Sequence, residues 1–592
     1  LHFAVLLNAT VGAFHAKIDG EVERWFVLGS MSVESMQQDV DRLERMSGMF
    51  KRRGIILPAF EIHGGAKGLY DFGPVGGRLR NRVNQTWIDH WLALGNIVEL
   101  SCPTVTPYAV LEASGHVGEF SDFMTICTEC GEASRADTLL ESSHPNPDAL
   151  SKSELQALLL DINPECPNCG AQAWSEVTAQ NLMFDTTIGA GTSGRPGFLR
   201  PETAQGMFTS FPALLRHNRD RLPFGAIQVG KGYRNEISPR QEMIRLREFN
   251  MAELEYFINP HEVPDHDFTP WDSIPFRLVP DEGEEKEMTI KAALESNTVR
   301  HATVGYFMAQ TYDFLVKVGI DPARLRFRQH ESDEMAHYAT DCWDAEIHGS
   351  YGWIECVGIA HRGCYDLEAH EKATGKTLRA RREFSEPKIV EIDGWTMNGA
   401  TAGPAFRALA GKVKALVEKL PADTTFPMIC TLEDGQDVEV MPEHVKRLQR
   451  TETITGEWYI PHVVEPAFGI DRIIWHILDH AYDDEAKGGE DYTILRLSEH
   501  VAPVDYCVFP LFEKDGMGEL ARSLHRSLCG LRGIVSVYDS SGSIGRRYAR
   551  ADEIGVPHCL TVDHQSLEDA TVTIRDRDTG QQQRVAIDDL LR

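Results

Sequence analysis

The 592-residue chain contains no run near the roughly 18–20 uninterrupted apolar residues that a membrane-crossing helix needs, which excludes a helical membrane protein. Lysine is scarce, 17 residues against 42 Arg, and 89 acidic side chains outweigh 59 basic ones for a net charge of −30. Two readings stay open for that balance: a surface adapted to concentrated intracellular salt, with patches such as Asp281–Glu287, or an ordinary acidic protein. Either way, a uniformly basic nucleic-acid-binding surface is ruled out. A GxxxxGK[ST] loop and a GxGxxG unit are both missing, so no P-loop nucleotide site exists. Ser-His-Asp and Cys-His arrangements for nucleophilic catalysis are missing too, as are internal repeats and low-complexity tracts. Cysteine is limited to 12 scattered residues, which is intracellular chemistry rather than a secreted disulfide scaffold.

What is present suits a multidomain globular protein: 42% hydrophobic residues and enough length for about three to five domains. Residues 1–30 contain no Met, and the apolar run Phe3–Phe14 lacks the preceding Lys or Arg of a signal peptide. They are expected to be a disordered or artefactual extension, with the true start at Met31 or Met36 before a helix over Val33–Phe50. Leu79, Val83, Trp87 and Trp91 recur every four residues and predict a helix over 75–94 capped by Gly95, followed by a strand toward Pro103 and Pro107. Helices are predicted near 203–218 and 298–318 and over Gly469–His480. Strands are predicted near 181–188, 225–236, 247–258, 351–359 and 459–465. Segments 260–297 and 366–455 read as polar insertions without a chemical constellation. From Val501 strand and helix alternate in a compact α/β unit.

Phe224–Phe257 reads as a long antiparallel hairpin. Alternation puts Gln228, Arg234 and Glu236 on one face of its first strand and Phe249, Glu253 and Glu255 on one face of its second. Burying unpaired carboxylates is costly, so such a face either lines a site or is a solvated sheet with cross-strand ion pairs. Arg234 offers a planar fork for phosphate and Phe249 a flat surface for a base, with Arg245 and Arg247 adding positive charge. Further on, a strand carrying Glu465 runs into a helix with Arg472 in its first turn, where free N–H groups favour anions; the alternative is a local pair with Asp471 or Glu465. Cys127-Thr-Glu-Cys130-Gly and Cys166-Pro-Asn-Cys169-Gly form two knuckles whose thiolates suit a structural Zn²⁺, with two disulfides or free thiols as alternatives. Between them, Ser151 and Glu154 make a capping box before an apolar helix.

Arg200-Pro-Glu-Thr-Ala-Gln-Gly-Met-Phe208, Arg234-Asn-Glu-Ile-Ser-Pro-Arg240, Arg245-Leu-Arg-Glu-Phe249, Trp353-Ile-Glu-Cys-Val-Gly358, Glu465-Pro-Ala-Phe-Gly469 with Arg472, and Asp539-Ser-Ser-Gly-Ser-Ile-Gly-Arg-Arg-Tyr-Ala-Arg550 follow one another in order. Together they resemble glycyl-tRNA synthetases of the archaeal and eukaryotic homodimeric type, which are class II aminoacyl-tRNA synthetases, over roughly residues 40–592. The resemblance implies an α+β fold. Its catalytic domain (31–500) is built on an antiparallel sheet with flanking helices, with a zinc-ribbon-like insertion at about 120–176. An α/β anticodon-binding domain (501–592) follows.

It also implies a cytoplasmic homodimer acting on glycine, ATP and tRNA-Gly with Mg²⁺, and engaging neither DNA nor membranes. The helix 75–94 and the strand to Pro103 resemble the dimer-forming motif 1. For ATP the resemblance implies Arg234, Asn235, Glu236, Arg245, Leu246, Arg247, Glu248, Phe249, Glu355, Cys356 and Arg472, with Arg234, Glu236 and Arg472 catalytic and Glu355 holding Mg²⁺. For glycine it implies Arg135, Glu202, Asn250, Met251, Ala252, Glu253, Leu254, Glu465 and Ala467. For tRNA it implies Arg546, Arg547 and Arg550, each of which could instead pair with Asp552 or Glu553. Two departures stand out: Ala467 replaces the family Ser, and His361 stands where the family usually has Asp. A proline- or threonine-specific synthetase, or a non-catalytic synthetase-like binding module, are the alternatives.

Overall fold

The computed structural model describes residues 33–144, 146–147, 150–237, 239, 241–262, 264–281, 283–331, 341–432, 435–484 and 492–592. The expected N-terminal extension, residues 1–30, and Met31 lie outside them.

A nine-stranded sheet organises the body of the chain. Its strands are β1 (Ile97–Glu99), β2 (Phe224–Tyr233), β3 (Glu248–Ile258), β4 (Phe276–Val279), β5 (Lys286–Met288), β6 (Leu325–Gln329), β7 (Asp341–Gly349), β8 (Gly352–Gly363) and β9 (His462–Gly469). They lie in the order β5-β4-β6-β7-β8-β9-β3-β2-β1, antiparallel except at the β4/β6 and β2/β1 pairs. Segment 260–297, expected to be an insertion, therefore supplies two edge strands. Both are too short, four and three residues, for alternation to stand out, although Phe276 and Leu278 of β4 reach the core.

The back face carries the alternate apolar residues of the strands, among them Ala252, Leu254, Val357, Ile359, Trp343 and Phe468. Against it pack α1 (Val33–Arg53), α2 (Gly76–Leu92), α4 (Ala302–Lys317) and α5 (Ile470–Ala481); α3 (Ala204–His217) lies on the front face. The every-fourth-residue stripe of α2 is fully buried, with Trp87 and Trp91 edge-on to Phe468 at 5.6 and 5.9 Å. Full burial of such rings contributes about 1.5–3 kcal/mol each. Gly95 has φ +80° and closes the helix as its position predicted.

The ribbon insertion is a three-stranded sheet, with Ser121–Ile126 between Ala133–Arg135 and Thr178–Asn181, plus a helix over Lys152–Ile162. Ser151 and Glu154 cap that helix reciprocally. A second excursion, beginning near Ala380 rather than 366, is a long hairpin of Ala380–Met397 against Val445–Tyr459. The helix Tyr365–Thr374 just before it packs on α3 and belongs to the body.

The C-terminal unit is a five-stranded sheet of β10 (Tyr506–Pro510), β11 (Ser536–Tyr538), β12 (His558–Val562), β13 (Thr571–Asp576) and β14 (Gln582–Ala586), ordered β11-β10-β12-β13-β14. It carries α6 (Met517–Cys529) and α7 (Ile544–Asp552). It docks through charge: Arg53 and Arg52 on the last turn of α1 reach Glu553, Arg82 on α2 donates to Asp505 at 2.6 Å, and Arg496 reaches Asp578 at 3.1 Å.

Candidate active site

The front face of the sheet opens into a cavity of about 480 Å³. Strand register sets its floor. One cross-strand row runs Asp344, Gly358, Ala467, Glu253, Gln228 across five strands; the next runs Cys342, Ala360, Glu465, with Glu255 beside Glu465 by the same register. Small side chains at Gly358, Ala360 and Ala467 thus form a trough between two banks of polar and acidic groups.

Arg234 and Arg472, separated by more than two hundred residues, both line this cavity. Strand β2 ends at Tyr233, so Arg234 and Glu236 are presented by the loop rather than by strand alternation. The Arg234 guanidinium lies 5.5 Å from the centre of the Phe249 ring and 5.2 Å from Phe120. Gly232 makes this possible, because a Cβ there would stand 2.6 Å from the Phe249 ring. The Arg234 Nε and Glu236 Oε2 are buried without hydrogen-bond partners, a costly arrangement that a bound polar ligand relieves. Arg472 donates to the carbonyls of Glu355 (2.7 Å) and Ile244 (3.1 Å) and stands 3.6 Å from the half-exposed Glu355 carboxylate. Asp471 beside it accepts from the Asn250 backbone and side chain, fixing the start of α5 on β3.

The acidic bank is dense. Glu253 accepts from the Thr203 N–H at 2.8 Å and from its hydroxyl. Burial, reinforced by Glu465 and Glu202, pushes its carboxyl up to about 8. Burial also raises Glu465, although Arg362 contacts it at 2.5 Å and opposes the shift. Glu202 is held below the usual carboxylate range despite burial, by His116 at 3.4 Å, Arg362 and Gln205. Arg362 also holds Asp366 at 2.9 Å, and Gln205 links Asp366 to His370. Glu255 lies wholly buried with both oxygens unpartnered and its carboxyl pushed far up by burial. A bound cation would favour the ionised forms of the raised Glu253 and Glu465 carboxyls and be held by them in turn.

Several expected residues stand elsewhere. Ala252 and Leu254 face the apolar back of β3, on the opposite alternation from Glu253. The Cys356 thiol turns into the core, 3.6 Å from His476. Leu246 and Met251 are both buried residues of the cavity wall. Arg247 clamps the loop by donating to the Glu236 and Lys67 carbonyls; Asn235 donates its N–H to Leu182, and Glu248 pairs with Lys231. Arg135, bound by Asp122 at 2.7 Å and by Asp137, opens on a neighbouring cleft with Lys67, Asn168 and Arg247. Arg547 is buried and donates to the carbonyls of Pro510 and Gly542, so it braces its own loop rather than facing RNA. Arg550 pairs with Asp539 rather than Asp552 or Glu553; Arg546 is exposed.

His116, Arg362, Asp366 and Gln205 were not foreseen. The one available signal was charge inside the strand-like run Ala360-His-Arg-Gly363. His361, on the back face, stacks on His301 at 4.4 Å and comes within 3.3 Å of His462. Burial and these neighbours push it down to about 3, so a neutral ring fills the position.

In the ribbon, Cys127 and Cys169 sulfurs lie 3.7 Å apart, as do those of Cys130 and Cys166, and all four fall within 4.8 Å of one another. Zn–S bonds of about 2.3 Å in a tetrahedron give edges of about 3.8 Å, whereas a disulfide needs about 2.05 Å. The glycines after each knuckle adopt φ +77° and +76°, and their N–H groups return to Cys127 and Cys166. The donor set therefore fits zinc.

The fold matches that of a Giardia lamblia prolyl-tRNA synthetase solved with prolyl-adenylate (TM-score 0.50, 11% identity, covering 94% of this chain and 75% of that one), and residues 505–592 match the family described as an anticodon binding domain. That combination gives the fold, the one seen in class II aminoacyl-tRNA synthetases. Glycine–tRNA ligases of Methanothrix thermoacetophila (44% identical, 93% of this chain and 96% of that protein), Methanocaldococcus jannaschii (42%, 94% and 98%) and Methanococcus vannielii (41%, 93% and 98%) align along nearly the whole length. The chain belongs to the glycine–tRNA ligase family.

Proposed function

We propose that this chain activates glycine with ATP and transfers the glycyl group to tRNA-Gly. The observation that carries the reading is the convergence of Arg234, Phe249 and Arg472 around one cavity whose far bank is the acidic cluster of Glu202, Glu253 and Glu465. The adenine stacks on Phe249, Arg234 meets the α-phosphate and Arg472 the γ-phosphate side, while the glycine ammonium enters the acidic bank over Gly358 and Ala467. A glycine carboxylate oxygen attacks the α-phosphorus; the new O–P bond forms as the bond to the β-phosphate bridge breaks and pyrophosphate leaves. The terminal ribose hydroxyl of the tRNA then attacks the glycyl carbonyl, and AMP departs. Negative charge gathers at phosphorus in the first step, and the two fixed guanidiniums lower that barrier by position and charge. Glu355 offers oxygen ligands for Mg²⁺, which supplies neutralisation of the triphosphate.

Selectivity is steric. Larger amino acids are rejected by the side chains of Glu202, Glu253, Glu465 and Arg362 that close round the glycine, without an editing domain. Four thiolates hold a structural zinc in the ribbon, the unit from 501 onward reads the anticodon side, and the family resemblance supports a cytoplasmic homodimer built on motif 1. Arg234, Glu236, Glu355, Glu465 and Arg472 are all present, which disfavours a non-catalytic module. ATP–pyrophosphate exchange tested with each amino acid should respond to glycine alone, and Arg234→Ala or Arg472→Ala should lower it at least about 100-fold. Exchange driven by proline or threonine would overturn the substrate; none with any amino acid would overturn the activity.

A further inference from the structure

The trough has a second bank that the proposed reaction does not use. His330, just past the end of β6, and Cys342 and Asp344 on β7 converge there, and their ligand atoms lie within 4.8 Å of one another. All three line the reaction cavity. The backbone fixes them independently of any ligand: Cys342 and Asp344 are i and i+2 on one strand and share its front face, and the His330 N–H donates to the Cys342 carbonyl at 3.0 Å. The next strand presents only Ala360 and Gly358 opposite them. A Cβ at Gly358 would stand 3.7 Å from Asp344 Oδ1, so no side chain covers the donors from that side.

We propose that His330, Cys342 and Asp344 form a second metal site, selective for a soft divalent cation of the zinc class, with its open coordination position facing the reaction cavity. An imidazole nitrogen, a sulfur and a carboxylate oxygen are the ligand types that Zn²⁺ takes, and three protein ligands with one position free is the pattern of an open rather than a closed site. Mg²⁺, which prefers an all-oxygen shell, gains nothing from the imidazole or thiol. In the metal-free arrangement His330 Nε2 is 2.7 Å from Asp344, which Arg328 also approaches at 3.5 Å. This ion pair is the competitor that the cation displaces. The site differs from the four-thiolate knuckle in ligands, location and openness. A cation there stands across the trough from Glu465 and Glu253, and so adds positive charge on the side away from the glycine ammonium.

The test uses the full chain with zinc already in the knuckle. Titration with Co²⁺ should fill one further equivalent per chain and produce a thiolate-to-cobalt charge-transfer absorption. Cys342→Ser should abolish that absorption, and His330→Ala or Asp344→Asn should weaken binding at least about tenfold. Melting curves of the three variants without cobalt verify folding. Asp344→Asn keeps the shape of the site and supplies the decisive comparison if Cys342→Ser proves unstable. No further equivalent, or an absorption that Cys342→Ser and Asp344→Asn both leave intact because cobalt has entered the knuckle, overturns the site. Neither result bears on glycine activation, which the exchange assay reads separately.

Discussion

Glu253 faces two opposed demands. Buried among other carboxyls, it is pushed up to about 8, yet a glycine ammonium is best held by its ionised form. A bound cation lowers the pKa of a neighbouring carboxyl, so the two events favour each other. For the free enzyme, kcat/KM for glycine should therefore climb as the pH rises toward about 8 and level off above it, and Glu253→Gln should flatten the climb; pyrophosphate exchange across that range measures both. The sign for stability is the reverse. A folded pKa above the unfolded value contributes stability fully present below about 4.3 and lost as the pH rises through about 8. Ala467 lies next to Glu253 in the same cross-strand row, where the family resemblance places Ser. Ala467→Ser should lower the glycine KM by about 3- to 10-fold, the worth of one hydrogen bond, with kcat little changed. A raised KM would mean that the floor has no room for a hydroxyl.

The ribbon is built on its cysteine knuckles and a small core of Leu140, Leu155, Leu159 and Val177. So little buried area needs the metal. Elemental analysis should return at least about one zinc per chain, and Cys169→Ser should lower the content by about one and open residues 121–181 to protease while the nine-stranded sheet still melts cooperatively. Elements of this kind were legible in the sequence wherever one local rule governed them. The four-residue stripe of α2, the alternation of β3, the Ser151 capping box and the Gly after each knuckle all depend on neighbours within a few residues. Arg234 and Arg472 were legible through their family motifs. What escaped was set by pairing between distant strands. Cys342 falls in one row with Ala360 and Glu465 only through the register of β7, β8 and β9, and Arg362 finds Glu465 only once β8 and β9 are side by side. The strands β4 and β5 are four and three residues long, too short for alternation to mark them, and Phe276 and Leu278 find their core only when β4 pairs with β6.

At the scale of the molecule, α1 joins three parts of the chain. At its middle Arg42 contacts Asp479 at the end of α5 at 2.6 Å, and Asp479 accepts from the Ser350 N–H in the β7–β8 turn. At its end Arg53 and Arg52 grip Glu553 immediately after α7. One helix thus touches the element that carries Arg472 and the end of the element that carries Arg546. Glu553→Gln should leave glycine-dependent exchange within about twofold while raising the tRNA KM about 3- to 10-fold, and adding Arg53→Ala should cost little more, since both changes remove one contact. Steady-state charging and exchange, measured on both variants, check this.

The acids of the C-terminal unit and the arginines of the body form a matched set across the seam: Glu553 with Arg52 and Arg53, Asp505 with Arg82, Asp578 with Arg496. Swapping that unit for one from another ligase would therefore transplant half of a lock. A working chimera has to inherit the acidic keys at these three places, whatever else of its recognition surface is exchanged.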